Sequence, residues 1–456
     1  MHTIEDVVAR GMCVGCGACS VRTDGRVSVT IGRRRSFEAD LDGVVDADLR
    51  AAGRVCPFSD ESRNEDAIGT AAFPELPHDP RVGRYSGLFA GRLRDGDRLL
   101  GSSSGGLTSW VAEQLLERGD VDGILHVVSS DDPAKGLFAY RATFDAAEYR
   151  AQRKSMYYAT TFADALASVR GDGRRYAVLG VPCFLRAARL LAEEDAQLGS
   201  QLAFFLGLVC GHLKSQAFAE SLAWQAGVPP QDLETVDFRV KVPGRSSSRY
   251  DFGAVGPDGE HDVPTASLVG GSWGHAMFQI GACDFCDDIF AETADIAFGD
   301  AWLPRYKEDW RGTNVIVSRR PELDALLRES DELVLDELDL DEVAATQAGN
   351  FRHRRIGLRV RLHDDAAKGL SVPAKRVPPT LDGIDSKRVR LVRQRRLISR
   401  TSHDAFAEAR AAGDLHVFLD RMRPLVEAYT RIDRGGLAQR FASRLRRRIR
   451  RLVPGR

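Results

Sequence analysis

The feature that most constrains this chain is its first cysteine run, Cys13-Val-Gly-Cys16-Gly-Ala-Cys19, followed at a distance by Cys56-Pro57. Three thiolates at successive three-residue spacing, with Gly15 and Gly17 between them, force a tight loop whose backbone N–H groups point inward. That loop suits one face of a 4Fe-4S cubane, with Cys56 as the remote fourth ligand. Four thiolates also suit tetrahedral zinc, but zinc sites usually present two Cys-x2-Cys knuckles rather than a triple. Electron transfer is therefore the leading expectation.

The Cys-Pro ending matches the remote ligand of bacterial two-cluster ferredoxins, and no second three-cysteine run precedes it. The segment 1–75 thus reads as a ferredoxin-like 4Fe-4S unit reduced to one cluster. A proline-containing stretch, Phe73 to Pro80, reads as a linker. From Tyr85 onward the pattern becomes strand, glycine turn, helix. Gly87–Gly91 is a strand, Leu107–Arg118 has helical apolar spacing, and Gly123–Val128 is again a strand. A second such unit starts at Arg175–Gly180, enters a helix from about Leu185 to Glu194, and is followed by a strand from Ala203 to Val209. The expected fold is α/β (α+β mixed), with chemistry at strand ends and a chain of largely helical character beyond Asp331.

Of 456 residues 43% are hydrophobic and 28% charged, enough for a large core and two or three domains. The net charge of −1 gives no global field to recruit nucleic acid. The start has neither a basic nor an apolar signal region, and no apolar run approaches a bilayer span. Free thiols in this number suit a reducing, cytoplasmic setting.

The remaining cysteines are Cys183, Cys210, Cys283 and Cys286, each read as lying at a strand-to-turn boundary. Cys183 and Cys210 alone would read as buried core thiols. With the Cys283-x2-Cys286 pair available to complete four, a second cluster becomes the better reading.

Together Ser104-Gly105-Gly106, Gly180-x-Pro-Cys183, Cys210-Gly-His212, Cys283-x2-Cys286 and Asp295-Ile-Ala-Phe-Gly-Asp-Ala-Trp302 resemble the family of coenzyme F420 hydrogenase/dehydrogenase beta subunits. The resemblance implies two modules, at about 82–165 and 175–340, before a helical, basic extension over 341–456. It implies an iron-sulfur flavoprotein oxidoreductase with FAD, two 4Fe-4S clusters, and deazaflavin (coenzyme F420) or ferredoxin as electron partner to a small organic substrate. The second cluster would fall on Cys183, Cys210, Cys283 and Cys286. Ser102, Ser103, Ser104, Gly105 and Gly106 fit a turn toward the flavin diphosphate, or equally a plain turn before a helix. Lys154, Ser155 and Tyr157 resemble the family's Lys-Ser-x-Tyr segment, against a solvated basic face as the alternative. Arg239 and Lys241 suit phosphate or a carboxylated tail. Trp302 reads as an aromatic wall beside the cofactor, and His212 as a proton relay or a satisfied core histidine.

Leu437, Phe441, Leu445, Ile449 and Leu452 form an apolar stripe amid seven arginines, so 436–453 reads as a basic amphipathic helix. It would lie on the inner membrane face, dock on a partner, or pack on the chain's own core. The Phe298–Pro304 run resembles family members linked to cell-surface polysaccharide biosynthesis. The competing functional class is a non-catalytic accessory protein of glycan assembly that keeps the cysteines for structural metal. Nucleic-acid binding ranks lower still, because no aromatic stacking residues accompany the arginines.

Overall fold

Two short parallel units, each a buried strand running into a helix, set the frame of the molecule. The computed structural model describes residues 1–132 and 136–434; the basic stretch 436–453 lies outside the described residues. Tyr176–Gly180 is followed immediately by helix Pro182–Glu194, whose first turn Pro182 pre-shapes. Four strands, Gly123–Ser129, Tyr176–Gly180, Leu202–Leu208 and Ile296–Asp300, lie parallel at the centre of an eight-stranded sheet. Antiparallel strands extend it on both sides. Phe138–Thr143 pairs with Gly123–Ser129, while Asn314–Ser318, Gly87–Leu93 and Leu333–Glu337 follow Ile296–Asp300 outward. The fold is mixed α/β. Helices such as Leu107–Glu117 and Pro182–Glu194 cover the sheet, and a separate three-stranded sheet carries Thr235–Val240, Asp251–Gly256 and Gly259–Pro264.

The N-terminal segment is built from local signals. Thr3 and Asp6 form a capping box on helix Ile4–Ala9, and a hairpin pairs Ser28–Ile31 with Phe37–Asp40. It packs directly on the sheet's covering helix: Val7, Met12, Cys16 and Phe58 share one apolar core with Phe184, Leu185 and Ala188. The Phe73–Pro80 stretch is held in place rather than slack. Phe73 is buried, and Arg84 donates to the carbonyls of Pro74 and Leu76.

The reading of the chain beyond Asp331 needs correction at its start. Leu333–Glu337 adds an edge strand before the helices begin, because it pairs along its length with Gly87–Leu93. After it come helices Leu340–Thr346 and Ala348–Phe351, a π-helical turn Arg352–Ile356, and helix Gly357–Ala366. Asp385 caps the long helix Ser386–Ala412, Gly413 ends it, and Leu415–Arg434 packs back alongside. Among the described residues no helix is long and apolar enough to cross a membrane.

Candidate redox centre

Cys13, Cys16, Cys19 and Cys56 all border one small cavity, with Val14, Gly15 and Phe58 completing its wall. Cys19 lies in the first turn of helix Ala18–Arg22, and Cys56 ends helix Asp46–Val55. Gly17 has φ +93°, and a Cβ there would come within 2.5 Å of Thr161 Oγ1, so the loop's path requires glycine. The N–H groups of Gly15 and Ala39 approach the Cys13 sulfur, each at 3.4 Å. Burial raises all four thiols above their ordinary range, Cys56 to about 11. Neighbouring thiols add to this at Cys16, Cys19 and Cys56. Such a set becomes thiolate only when a cationic group joins it, which is the donor chemistry an iron-sulfur cluster needs.

The second set is assembled from distant loops. Cys183 stands in the first turn of helix Pro182–Glu194, and Cys210 lies just past strand Leu202–Leu208. Cys283 falls inside a 3₁₀ turn, Gly281–Phe285, that Cys286 closes. Cys183 and Cys283 are therefore in helical turns rather than at strand ends, because a proline and a glycine start those turns. The fold nevertheless converges them. Burial raises the Cys183 thiol well above its usual range, and the charges of Cys286, Cys283, Cys210 and Cys16 push it further. The Leu213 N–H donates to the Cys283 sulfur at 3.1 Å. Cys16 of the first set is thus a neighbour of the second, and a Cβ on Gly281 would run into the carbonyl of Gly11, so the two loops pack back to back. Among the described residues no group of three or more His, Cys, Asp or Glu side chains is arranged to hold a metal ion.

Cys210 also borders a second, larger cavity of about 260 Å³ at the carboxyl ends of the parallel strands. One end is lined by Ser102, Ser103, Ser104 and Gly106, leading into the N-terminus of helix Leu107–Glu117. Lys154, Ser155, Tyr157 and Arg239 line it as well. Ser103 Oγ accepts the Ser155 N–H at 2.7 Å, joining the two predicted segments, and Lys154 pairs with Asp237 at 2.7 Å. Arg239 is 5% exposed and pairs with Asp300 at 2.8 Å, yet its Nε has no partner among the described residues. His212 Nε2 is likewise buried without a partner among them, and its residue lines the same cavity. Two orphaned polar atoms on residues facing one cavity fit a polar ligand.

Gly105 and Lys241 stand behind this wall. Gly105 lies against the Gly91 carbonyl and the Asn314 amide, where no side chain fits. The Lys241 ammonium donates to the carbonyls of Leu99, Ser104 and Arg311 and so pins the serine loop from its far side. Burial, with Arg239 and Lys154 nearby, draws its pKa down to about 7. The aromatic wall comes from Trp273, whose ring meets Tyr157 at 4.8 Å and His212 at 4.5 Å. Trp302 instead faces the Arg239 guanidinium, because strand Ile296–Asp300 has already ended and the chain has turned outward.

Sequence reasoning missed Lys214, Asn314 and Trp273, which also line the cavity. Lys214 is buried, donates to the Met277 carbonyl and lies over Phe218 and Trp273. Its alternation with Cys210 and His212 was the one available signal. Asn314 holds the Leu107 N–H at 3.1 Å, a contact across 207 positions that no local pattern announces.

A mixed α/β sheet with two neighbouring cysteine sets, the second bordering a cavity at the strand ends, is the frame of this molecule, and its family makes it an electron-transfer oxidoreductase. The chain belongs to the family of coenzyme F420 hydrogenase/dehydrogenase beta subunits. Residues 88–167 match the family's N-terminal part and 173–342 its C-terminal part. It is similar to one component of the F(420)H(2) dehydrogenase of Methanosarcina mazei, 23% identical over 311 residues, covering 66% of this chain and 79% of that one. Among solved structures it resembles a chain of the xenon-derivatised F420-reducing [NiFe] hydrogenase complex from Methanosarcina barkeri. There the TM-score is 0.49 at 17% identity, covering 66% of this chain and 99% of that chain.

Proposed function

We propose that the chain is an iron-sulfur flavoprotein that moves electrons between a hydride carrier, coenzyme F420 or a ferredoxin-linked source, and a small organic substrate. One observation carries the reading: Cys16 neighbours Cys183, and Cys210 of that second set borders the large cavity, so each cysteine set adjoins the next element of an electron path. FAD, when bound, supplies the exchange between two-electron and one-electron chemistry. Ser102, Ser103, Ser104 and the N-terminus of helix Leu107–Glu117 would take its diphosphate, while Arg239, its charge paired with Asp300, would offer its free Nε as a hydrogen-bond donor. Trp273 and Tyr157 would give the group an aromatic wall, and His212 Nε2 a hydrogen-bonding partner. The thiolates of the two sets would each hold a 4Fe-4S cluster. A substrate from glycan assembly, suggested by the Phe298–Pro304 run, is the case to try first.

The test is anaerobic purification followed by iron, sulfide, zinc and released-flavin assays on one sample. About eight iron and eight sulfide with one FAD are expected. Zinc without flavin would overturn the enzyme reading in favour of a binding scaffold. Titration with reduced F420, and separately with reduced ferredoxin, then identifies the partner by which one bleaches the flavin.

A further inference from the structure

We propose that Arg354, which lies beyond both family-matched stretches, is the positioning residue that ties the second cysteine set together and raises the reduction potential of the cluster it holds. The proposal rests on the cluster reading above. Arg354 sits on the π-helical turn Arg352–Ile356, a wide turn of the kind that recurs at functional sites because it re-aims one side chain. It is 3% exposed. All three of its nitrogens donate to backbone carbonyls of the ligand loops: Nε to Cys286 at 2.9 Å, Nη1 to Cys210 at 3.0 Å and Gly211 at 2.6 Å, Nη2 to Asp288 at 3.1 Å. One planar guanidinium therefore fastens two loops that are far apart in the chain.

Its charge is the second half of the argument. Arg355 is paired with Glu292 and Arg361 with Asp284, but among the described residues Arg354 has no carboxylate within ion-pair distance. A fully buried cation without an anion is costly, so an anion is expected beside it. The groups that supply most of it are the thiolates of Cys286, Cys210 and Cys283, whose charges act on this guanidinium ahead of the more weakly acting Asp288 carboxyl. When the cluster accepts one electron, the site becomes more negative by one unit and no proton is needed. A fixed buried positive charge stabilises that reduced state more than the oxidised one. In the first set the corresponding carbonyls, of Cys16, Cys19 and Cys56, are instead taken by neutral donors, Thr161, Thr23 and Ser62.

The experiment compares anaerobically purified full-length wild type with Arg354→Gln and Arg354→Lys, using iron and sulfide content and EPR-monitored potentiometric titration. Cys16→Ser and Cys283→Ser, each lacking one cluster, assign the two midpoints. In Arg354→Gln the second-set midpoint is expected to fall by at least tenfold in the reduction equilibrium constant, ~59 mV for one electron, with the first unchanged. Arg354→Lys keeps the charge and is expected to hold its midpoint near wild type, while losing second-set iron several-fold faster to a chelator, because one ammonium cannot span both loops. If Arg354→Gln is isolated without its second cluster, the Lys variant decides. Unchanged midpoints in the Gln variant, or wild-type chelator kinetics in the Lys variant, overturn the proposal. A wild type with fewer than two clusters is seen before any substitution and overturns the cluster reading itself.

Discussion

The two cysteine sets reach similar chemistry by opposite routes. The first is written into one loop: three of its four ligands fall within seven residues, and neutral backbone and hydroxyl donors hold the carbonyls around them. The second is a product of the whole fold, taking one ligand from a helix start, one from a strand end and two from a 3₁₀ turn, with an arginine from the C-terminal extension binding them together. A local set depends on loop conformation. A dispersed set depends on long-range ties, and it should fail when those ties are cut even though no ligand is touched.

The largest effects come from the ligands themselves. Cys283→Ser is expected to remove about four of eight iron while the first-set EPR signal persists, and Cys16→Ser to do the reverse. Loss of both signals from either change would mean that the sets are one folding unit, and the contrast would collapse. Next in size is Arg186, 4% exposed, which bonds Glu65 and Ser62 from helix Pro182–Glu194, while Ser62 in turn holds the Cys56 carbonyl. Arg186→Ala leaves Glu65 buried without its nearest cation and should cost about 3–5 kcal/mol, read as a lowered denaturation midpoint. Because this residue bridges the sets, it should weaken both.

Glycine substitutions separate the two sets more finely. Gly17→Ala places a Cβ at φ +93° against Thr161 and Ala163 and should cost about 2–4 kcal/mol, with first-set iron lost preferentially. Gly211→Ala, beside Cys210, meets only the tip of the Asn350 side chain, at 3.1 Å, and has no positive φ. It should keep both clusters and shift the thermal midpoint little. Equal damage from the two changes would show that loop conformation matters as much in the dispersed set as in the local one.

The same contrast explains what the sequence disclosed. The Cys13–Cys19 run, the strand Tyr176–Gly180 and the helix Leu107–Glu117 are set by spacing and periodicity over a few residues, and all were legible. Ser102–Gly106 with Lys154–Tyr157 could be named only through family resemblance, since their contact, Ser103 to Ser155, spans 52 positions. The Leu333–Glu337 strand was hidden because five residues with mixed polarity carry no period of their own; pairing with Gly87–Leu93 decides it. Arg354 was illegible for a further reason. In an arginine-rich stretch, Arg352-His-Arg354-Arg355, nothing but the π turn distinguishes the one that points inward.

Acidity gives the most selective test. His403 lies on helix Ser386–Ala412, is 8% exposed, and reaches the Gln279 carbonyl at 3.2 Å, just before the turn that carries Cys283. Burial, aided by Arg34, lowers its pKa to about 4 from the usual 6.5. Between those values the unfolded chain binds the proton and the native chain does not, so stability is complete above pH 6.5 and is lost as pH falls toward 4. The loss is at most about 3 kcal/mol and falls on the side of the molecule that holds the second set. Acidification from about pH 7 to about pH 5 should therefore release second-set iron before first-set iron, and His403→Asn should reduce that pH dependence by its own share, the buried His212, His275 and His353 supplying the rest, while leaving the first set's unchanged. Simultaneous release, or a variant with the wild-type pH profile, would show that the C-terminal helix does not guard the dispersed set.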